Sequence, residues 1–186
     1  MAIKDRLKML LSDIKSGDKI YFYYNGHGIP NQDDNSFEPF LLPSDGIPDF
    51  ITEKNEFALK NIYQQLSDSS AGEIVAFIDS CFTGSTDGIS IIKGVANSRL
   101  VAKKIGFNKS KMVVLSAGQK YQFSNMYEKR GHRLFSYFLM KSMLSGKDSL
   151  KSVFQEVSYK VSEVSSKFGK LKKQEPTIDG NYNIGL

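Results

Sequence analysis

The 186-residue sequence contains one cysteine, Cys81, and two histidines, His27 and His132. A single thiol excludes an internal disulfide framework and any zinc site built on several thiolates. No apolar stretch approaches the roughly eighteen residues that a membrane span needs, so no membrane partner is expected. The first residues, Met1 to Leu11, alternate charged and apolar side chains and do not read as a secretory signal; a cytoplasmic location is expected. There is no internal repeat and no low-complexity tract. Ser145-Gly146-Lys147 is not a phosphate loop, because Lys141 stands where that motif needs its earlier glycine.

Positive charge is also missing from one region. Residues 20–53 hold no Lys or Arg, yet they carry Asp33, Asp34, Glu38, Asp45, Asp49 and Glu53. The formal net charge of +5 therefore hides a split: residues 1–93 have 8 basic against 14 acidic side chains, and residues 94–186 have 17 against 6. Taken whole, the charge suggests an anionic partner. Taken in halves, it favours cations wherever the first half builds a site. Lys167, Lys170, Lys172 and Lys173 form a basic run, but no aromatic stacking platform accompanies them. They read as a solvated helix end, and no nucleic-acid partner is expected.

What is present is an alternation of strand and helix signals. Apolar residues at Ile3, Leu7, Leu10, Leu11 and Ile14 have helical spacing, stopped by Gly17 and Asp18. Lys19–Tyr24 (KIYFYY) is an aromatic run without polar alternation, as in a buried strand, and it leads into the turn-forming Asn25-Gly26-His27-Gly28. A polar loop over 31–38, a short strand Phe40–Leu42 and a helix Glu56–Leu66 follow. Glu73–Ile78 (EIVAFI) is a second buried strand and Lys111–Leu115 (KMVVL) a third. A looser stretch between them has a short helix near Ser98–Ile105. Residues 119–130 read as loop. Helices are predicted over Leu134–Leu144 and Leu150–Phe168, then a last short strand in the tail. The alternation implies a parallel or mostly parallel sheet covered on both faces. In such sheets ligands bind outside the carboxyl ends of the strands. The three strong strands end in NGHG, DSCFTG and SAGQ, all small or reactive residues.

Cys81 follows a strand, flanked by polar Asp79, Ser80 and Thr83 and by Gly84, whose missing side chain lets backbone approach a ligand. A thiolate nucleophile needs a partner able to protonate a leaving amine, and imidazole titrates in the right range. His27, between two glycines at the end of another strand, can supply one; His132, in Arg130-Gly131-His132-Arg133, reads as a structural or surface residue. Ser116 and Ser124 have no histidine near them in sequence, which gives a serine nucleophile little support. His27 precedes Cys81 by 54 residues, close to the roughly 50-residue spacing of the caspase signature.

Here the sequence resembles a known family. Tyr21–Ile29 (YFYYNGHGI), then Phe40-Leu41-Leu42-Pro43-Ser44-Asp45, then Ile78-Asp79-Ser80-Cys81-Phe82-Thr83-Gly84-Ser85 resemble the core motifs of caspase-like cysteine peptidases, nearest to metacaspases and their bacterial relatives. Val114-Leu115-Ser116-Ala117, Gly131–Leu139 (GHRLFSYFL) and Gln174-Glu175-Pro176 extend the likeness over nearly the whole chain. The resemblance implies one peptidase domain over residues 1–186, a three-layer α/β fold around a mostly parallel sheet, and cysteine endopeptidase activity. Cys81 is implied as nucleophile, His27 as general acid, and the backbone N–H groups of Gly28 and Cys81 as the oxyanion hole. Asp79, Asn25 and Ser116 are expected to bind substrate. Asp79 stands where the caspase pattern has a glutamine suited to an acidic P1 residue. A carboxylate there suits Arg or Lys at P1, and a desolvated charge-assisted pair is worth roughly 1.5–3 kcal/mol, about tenfold to a hundredfold in selectivity.

Some features depart from the family. A strand and helix normally precede the segment that here starts at Met1; the fold is expected to lack that first strand, or to receive it from another segment or chain. Asn25 stands where metacaspases often have Ser, and Phe82 where a His commonly follows the nucleophile. No cofactor is expected. Calcium dependence is common among metacaspases, but Glu38, Glu53 and Asp87 lack the regular spacing of a calcium loop and read as solvated acidic loop. Lys93, Arg99, Lys103, Lys104 and Lys109 would be self-cleavage points if P1 is basic. The alternative to an enzyme is a catalytically silent caspase-like domain that serves as a scaffold or interaction module.

Overall fold

The computed structural model describes residues 3–33, 35–83, 85–86, 89–90, 101–119 and 122–186. Helix α1 (Ile3–Ser12) leads into a long strand β1 (Lys19–Asp33), which turns into β2 (Ser36–Leu41). Helix α2 (Leu59–Asp68) and strand β3 (Glu73–Cys81) follow, then the short β4 (Val101–Ala102) and β5 (Met112–Ser116). Helices α3 (Leu134–Met143) and α4 (Leu150–Ser166) precede the final strand β6 (Thr177–Gly180).

The six strands form one sheet in the order β6-β5-β3-β1-β2-β4. The central pairs β1/β3 and β3/β5 are parallel, as is β2/β4; β1/β2 and β5/β6 are antiparallel. Strand β3 is buried from Ile74 to Ser80, which is why its sequence reads as an unbroken apolar run rather than an alternation. Alternate residues divide between two layers. Val75, Phe77, Val113 and Leu115 pack against α3 and α4 through Leu134, Phe135, Phe138, Val153, Val157 and Val161. Ile74, Ala76, Ile78, Met112 and Val114 pack on the other face against Leu59, Ile62, Tyr63 and Leu66 of α2, with Leu7 and Leu11 of α1 alongside. Leu59, Ile62, Tyr63 and Leu66 follow the i, i+3, i+4, i+7 spacing that gives a helix one apolar stripe. Ser149 caps α4, its hydroxyl accepting from the Ser152 N–H at 3.2 Å.

The three-layer, mostly parallel architecture expected from sequence is the one found. Two expectations about strand ends are corrected. Asn25-Gly26-His27-Gly28 is not a turn after β1 but its middle: Asn25, Gly26 and His27 stay in register with Asp79, Ser80 and Cys81 of β3. Likewise β3 runs on through Asp79 to Cys81. The polar stretch read as loop over 31–38 is the tip of the β1/β2 hairpin, with Asp33 opposite Ser36. It is held at its base by Ile29, Phe40, Ile51, Phe57 and Ala58, a third small apolar cluster. The helix expected near Ser98–Ile105 is not seen in its described part, where Val101–Ala102 pairs as a strand with Ser36–Phe37; 98–100 lie outside the described residues. Within 119–130 the described residues include a two-residue strand, Met126–Tyr127, paired with His132–Arg133. Beside β1, the described residues place β3 along Lys19–Tyr24, and Tyr21 and Tyr23 are 48% and 50% exposed.

Candidate active site

The site follows from strand register. Residues directly paired across parallel strands, which lie about 4.8 Å apart, point to the same face of the sheet, and so do residues two positions away. His27 pairs with Cys81 and Asn25 with Asp79. All four side chains therefore share one face of the sheet, at the carboxyl end of β3. That face is the α3 side. The Tyr23 hydroxyl lies 2.6 Å from Ser136 Oγ, and Asn25 Nδ2 donates to the same oxygen at 3.3 Å. His27 and Cys81 are half-buried, Asn25 is exposed, and Asp79 is fully buried.

The Cys81 sulfur is 2.8 Å from Thr83 Oγ1, so the hydroxyl two residues on is placed to support it. Gly28 has a steric reason to be glycine: a side chain there would overlap the Phe82 ring and come within 2.7 Å of the Cys81 carbonyl oxygen. The segment after Cys81 thus closes directly over the backbone after His27. Gly26 is tight for another cause. The Tyr24 side chain folds forward over it, its hydroxyl 2.6 Å from where a methyl carbon would sit. From there the phenol meets the His27 carbonyl at 2.7 Å and the Leu42 carbonyl at 2.9 Å, and accepts from the Leu42 N–H at 3.1 Å. Leu42 N–H also donates to the His27 carbonyl at 3.0 Å. Burial pushes the Tyr24 phenol up to about 12, so it stays a neutral donor at physiological pH.

Asp79 lies beneath Asn25, not at the surface. Its carboxylate accepts from the Ser124 hydroxyl, from the Ser136 hydroxyl and from the Ser136 N–H at 2.9 Å. Burial raises its carboxyl above the ordinary range; the hydrogen bonds from Ser124 and Ser136 and the nearby Arg133 charge oppose this without cancelling it. An ionised carboxylate has about four acceptor positions, so three donors leave room for one more.

The structure brings together Asn25, His27, Gly28, Asp79 and Cys81. It does not bring Ser116 to them. Ser116 pairs with Ile78, so it points to the α2 face, the opposite side of the sheet. His132 is exposed on its two-residue strand, paired with Tyr127. Sequence reasoning missed Tyr24, Ser124 and Ser136 as partners. Tyr24 was hidden inside an aromatic run that reads as core, and the serines carry no spacing signal because they come from distant segments. Of the acidic residues considered for calcium, Glu38 is paired with Lys60 at 2.7 Å and Asp87 lies outside the described residues. Among the described residues, no three His, Cys, Asp or Glu side chains converge as a metal site would need. Of the basic residues considered as cleavage points, Lys103 is paired with Asp33 and Lys109 with Asp179, while Lys93 and Arg99 lie outside the described residues. Among the described residues, no helix is long and apolar enough to cross a membrane.

A three-layer α/β sheet with a Cys and a His on adjacent strands is the architecture of caspase-like proteins. The family model described as caspase domain matches residues 1–183, and the chain belongs to that family. Among solved structures, a Geobacter sulfurreducens protein superposes with a TM-score of 0.63 at 16% identity, covering 96% of this chain and 72% of that one. Caspase-1 from Spodoptera frugiperda superposes at 0.54 and 14% identity, covering 99% of this chain and 70% of that one. At such identities the likeness is one of fold. A curated relative from a Desulfuromonadales bacterium, described as a probable protease, is 33% identical over 67 residues. That match covers 36% of this chain and 8% of the relative.

Proposed function

We propose that the chain is a cysteine endopeptidase that cuts after Arg or Lys, with Cys81 as nucleophile and His27 as general acid. The observation that carries this reading is the direct pairing of His27 with Cys81 across β1 and β3. It fixes both side chains on one face at the carboxyl end of β3, and parallel sheets bind ligands at the carboxyl ends of their strands. In the reaction the Cys81 thiolate attacks the scissile carbonyl carbon. The charge that forms on oxygen is met by backbone N–H groups of Gly28 and Cys81. The C–N bond then breaks as the His27 imidazolium gives its proton to the departing amine, leaving a thioester on Cys81. Water attacks that thioester, the C–S bond breaks, and the acid product and free thiol are released. Asp79 supports the basic P1 preference, since a buried carboxylate with one acceptor position unfilled favours a cation of matching reach.

Reporter peptides that differ only at P1 (Arg, Lys, Asp) test the reading with the full chain. Cleavage after Arg or Lys, lost in Cys81→Ala and His27→Ala, is the expected result, and Asp79→Ala should reduce the preference for Arg over Asp about tenfold or more. No turnover of any peptide, with no labelling of Cys81 by a peptidyl electrophile, would overturn it in favour of a silent scaffold.

A further inference from the structure

Behind the nucleophile, on the α2 face of the sheet, lies a cavity of about 510 Å³. Ile78 and Val114 form its floor, Leu59 and Tyr63 of α2 one wall, and Ile105 and Phe107 another. The volume is within the range of small-molecule sites, and the lining is predominantly apolar, as such sites are. Two polar features mark it as more than a packing gap. Ser80 lines the cavity and is only 8% exposed, yet its hydroxyl has no hydrogen-bond partner among the described residues. Buried hydroxyls are nearly always partnered, so an open one facing a cavity asks for a group inside it. At the rim, Lys103 is bound to Asp33 and Asp179 to Lys109. Lys104 also lines the cavity and has no carboxylate partner among the described residues.

We propose that this cavity is a binding site for an apolar small molecule, aromatic or aliphatic in body, that carries a hydrogen-bonding group for Ser80 and an anionic group for Lys104. It is separate from the peptide site, since Ser80 alternates with Asp79 and Cys81 and so points to the other face of β3. It is nonetheless coupled to that site. Ser80 and Phe82 both line the cavity and bracket Cys81, and the Phe82 ring is the one packed on Gly28. A ligand that shifts Phe82 therefore shifts the wall between β1 at Gly28 and the nucleophile. The effect on activity rests on the peptidase reading; the binding does not.

The test uses 1-anilinonaphthalene-8-sulfonate, an aromatic anion with an N–H group, titrated into the full chain and read by fluorescence. The expected result is saturable one-to-one binding. Ser80→Ala should weaken it about fivefold, Lys104→Glu at least tenfold, and Val114→Phe, which fills the floor, should abolish it while near-UV circular dichroism stays native. Should Val114→Phe not fold, Thr177→Trp blocks the cavity from an exposed lining position and should abolish binding likewise. Saturation with the dye should also change the iodoacetamide labelling rate of Cys81 at least threefold. Binding that fails to saturate, or that persists in a folded blocking variant, would overturn the proposal. Loss of peptidase activity in every assay with dye binding intact would sink the peptidase reading and leave this site standing. Peptide cleavage without saturable dye binding would do the reverse.

Discussion

The Tyr24 hydroxyl serves both the fold and the site with one atom, which makes it open to a direct experiment. It joins the His27 and Leu42 carbonyls and takes the Leu42 N–H. Tyr24→Phe keeps the ring and its packing but removes these bonds. The Leu42 N–H retains the His27 carbonyl at 3.0 Å, so the main loss is the donor to the Leu42 carbonyl. Leaving a part-buried acceptor unmade costs about 1–3 kcal/mol. For a chain of this length that lowers the melting temperature by about 2–4 °C per kcal/mol, measurable by calorimetry or urea titration. The second effect falls on His27, whose carbonyl is held by the same phenol. A misplacement of the order of 1 Å can cost about a hundredfold in rate, so kcat on the best Arg or Lys reporter should fall at least tenfold with KM little changed. Unchanged stability and unchanged kcat would refute the account of Tyr24. Lower stability with unchanged kcat would show that the hairpin restraint does not reach the imidazole.

Three further perturbations probe the same region. Gly28→Ala places a methyl against the Phe82 ring and the Cys81 carbonyl; it should destabilise by about 1–3 kcal/mol in urea titrations and slow Cys81 labelling or peptide cleavage. Thr83→Val removes the hydroxyl beside the sulfur and should slow iodoacetamide labelling of Cys81 at neutral pH about fivefold, with the fold unchanged by circular dichroism. For Asp79 the sign follows from its raised carboxyl. The folded state holds that proton to higher pH than the unfolded chain does, so its contribution is full below the ordinary carboxylate range and is lost as pH rises through the folded value. The stability of Asp79→Asn relative to the parent should therefore increase from about pH 4 towards neutrality; a difference that stays flat with pH would contradict the assignment.

The layers were legible from sequence because buried parallel strands and striped helices leave direct periodic signals: EIVAFI and KMVVL are strands, and Leu59, Ile62, Tyr63 and Leu66 form a stripe. The pair was legible because each residue follows a strong strand signal in the sequence, KIYFYY and EIVAFI. The strand ends themselves were not. NGHG has the composition of a turn, yet β1 continues through it because β3 supplies a partner at every position to Cys81, a tertiary fact with no local trace. The placement of Ser116 failed for a related reason. Its proximity to the strand ends was readable, but the face it presents depends on its pairing with Ile78. The Asp79 network was invisible because Ser124 and Ser136 lie 45 and 57 residues away in the chain.

The pairing of His27 with Cys81 also bears on control. The two residues are not carried on separate loops that could be drawn apart and reassembled; each is a rung of one continuous hydrogen-bonded ladder. Slipping that ladder by one position would turn the imidazole to the opposite face, so the pair exists whenever the sheet does. Folding itself brings the two side chains together. If the pair is the proposed peptidase couple, an on–off switch has to work on what surrounds it, through the segments that would admit a peptide or the side chains that wall it.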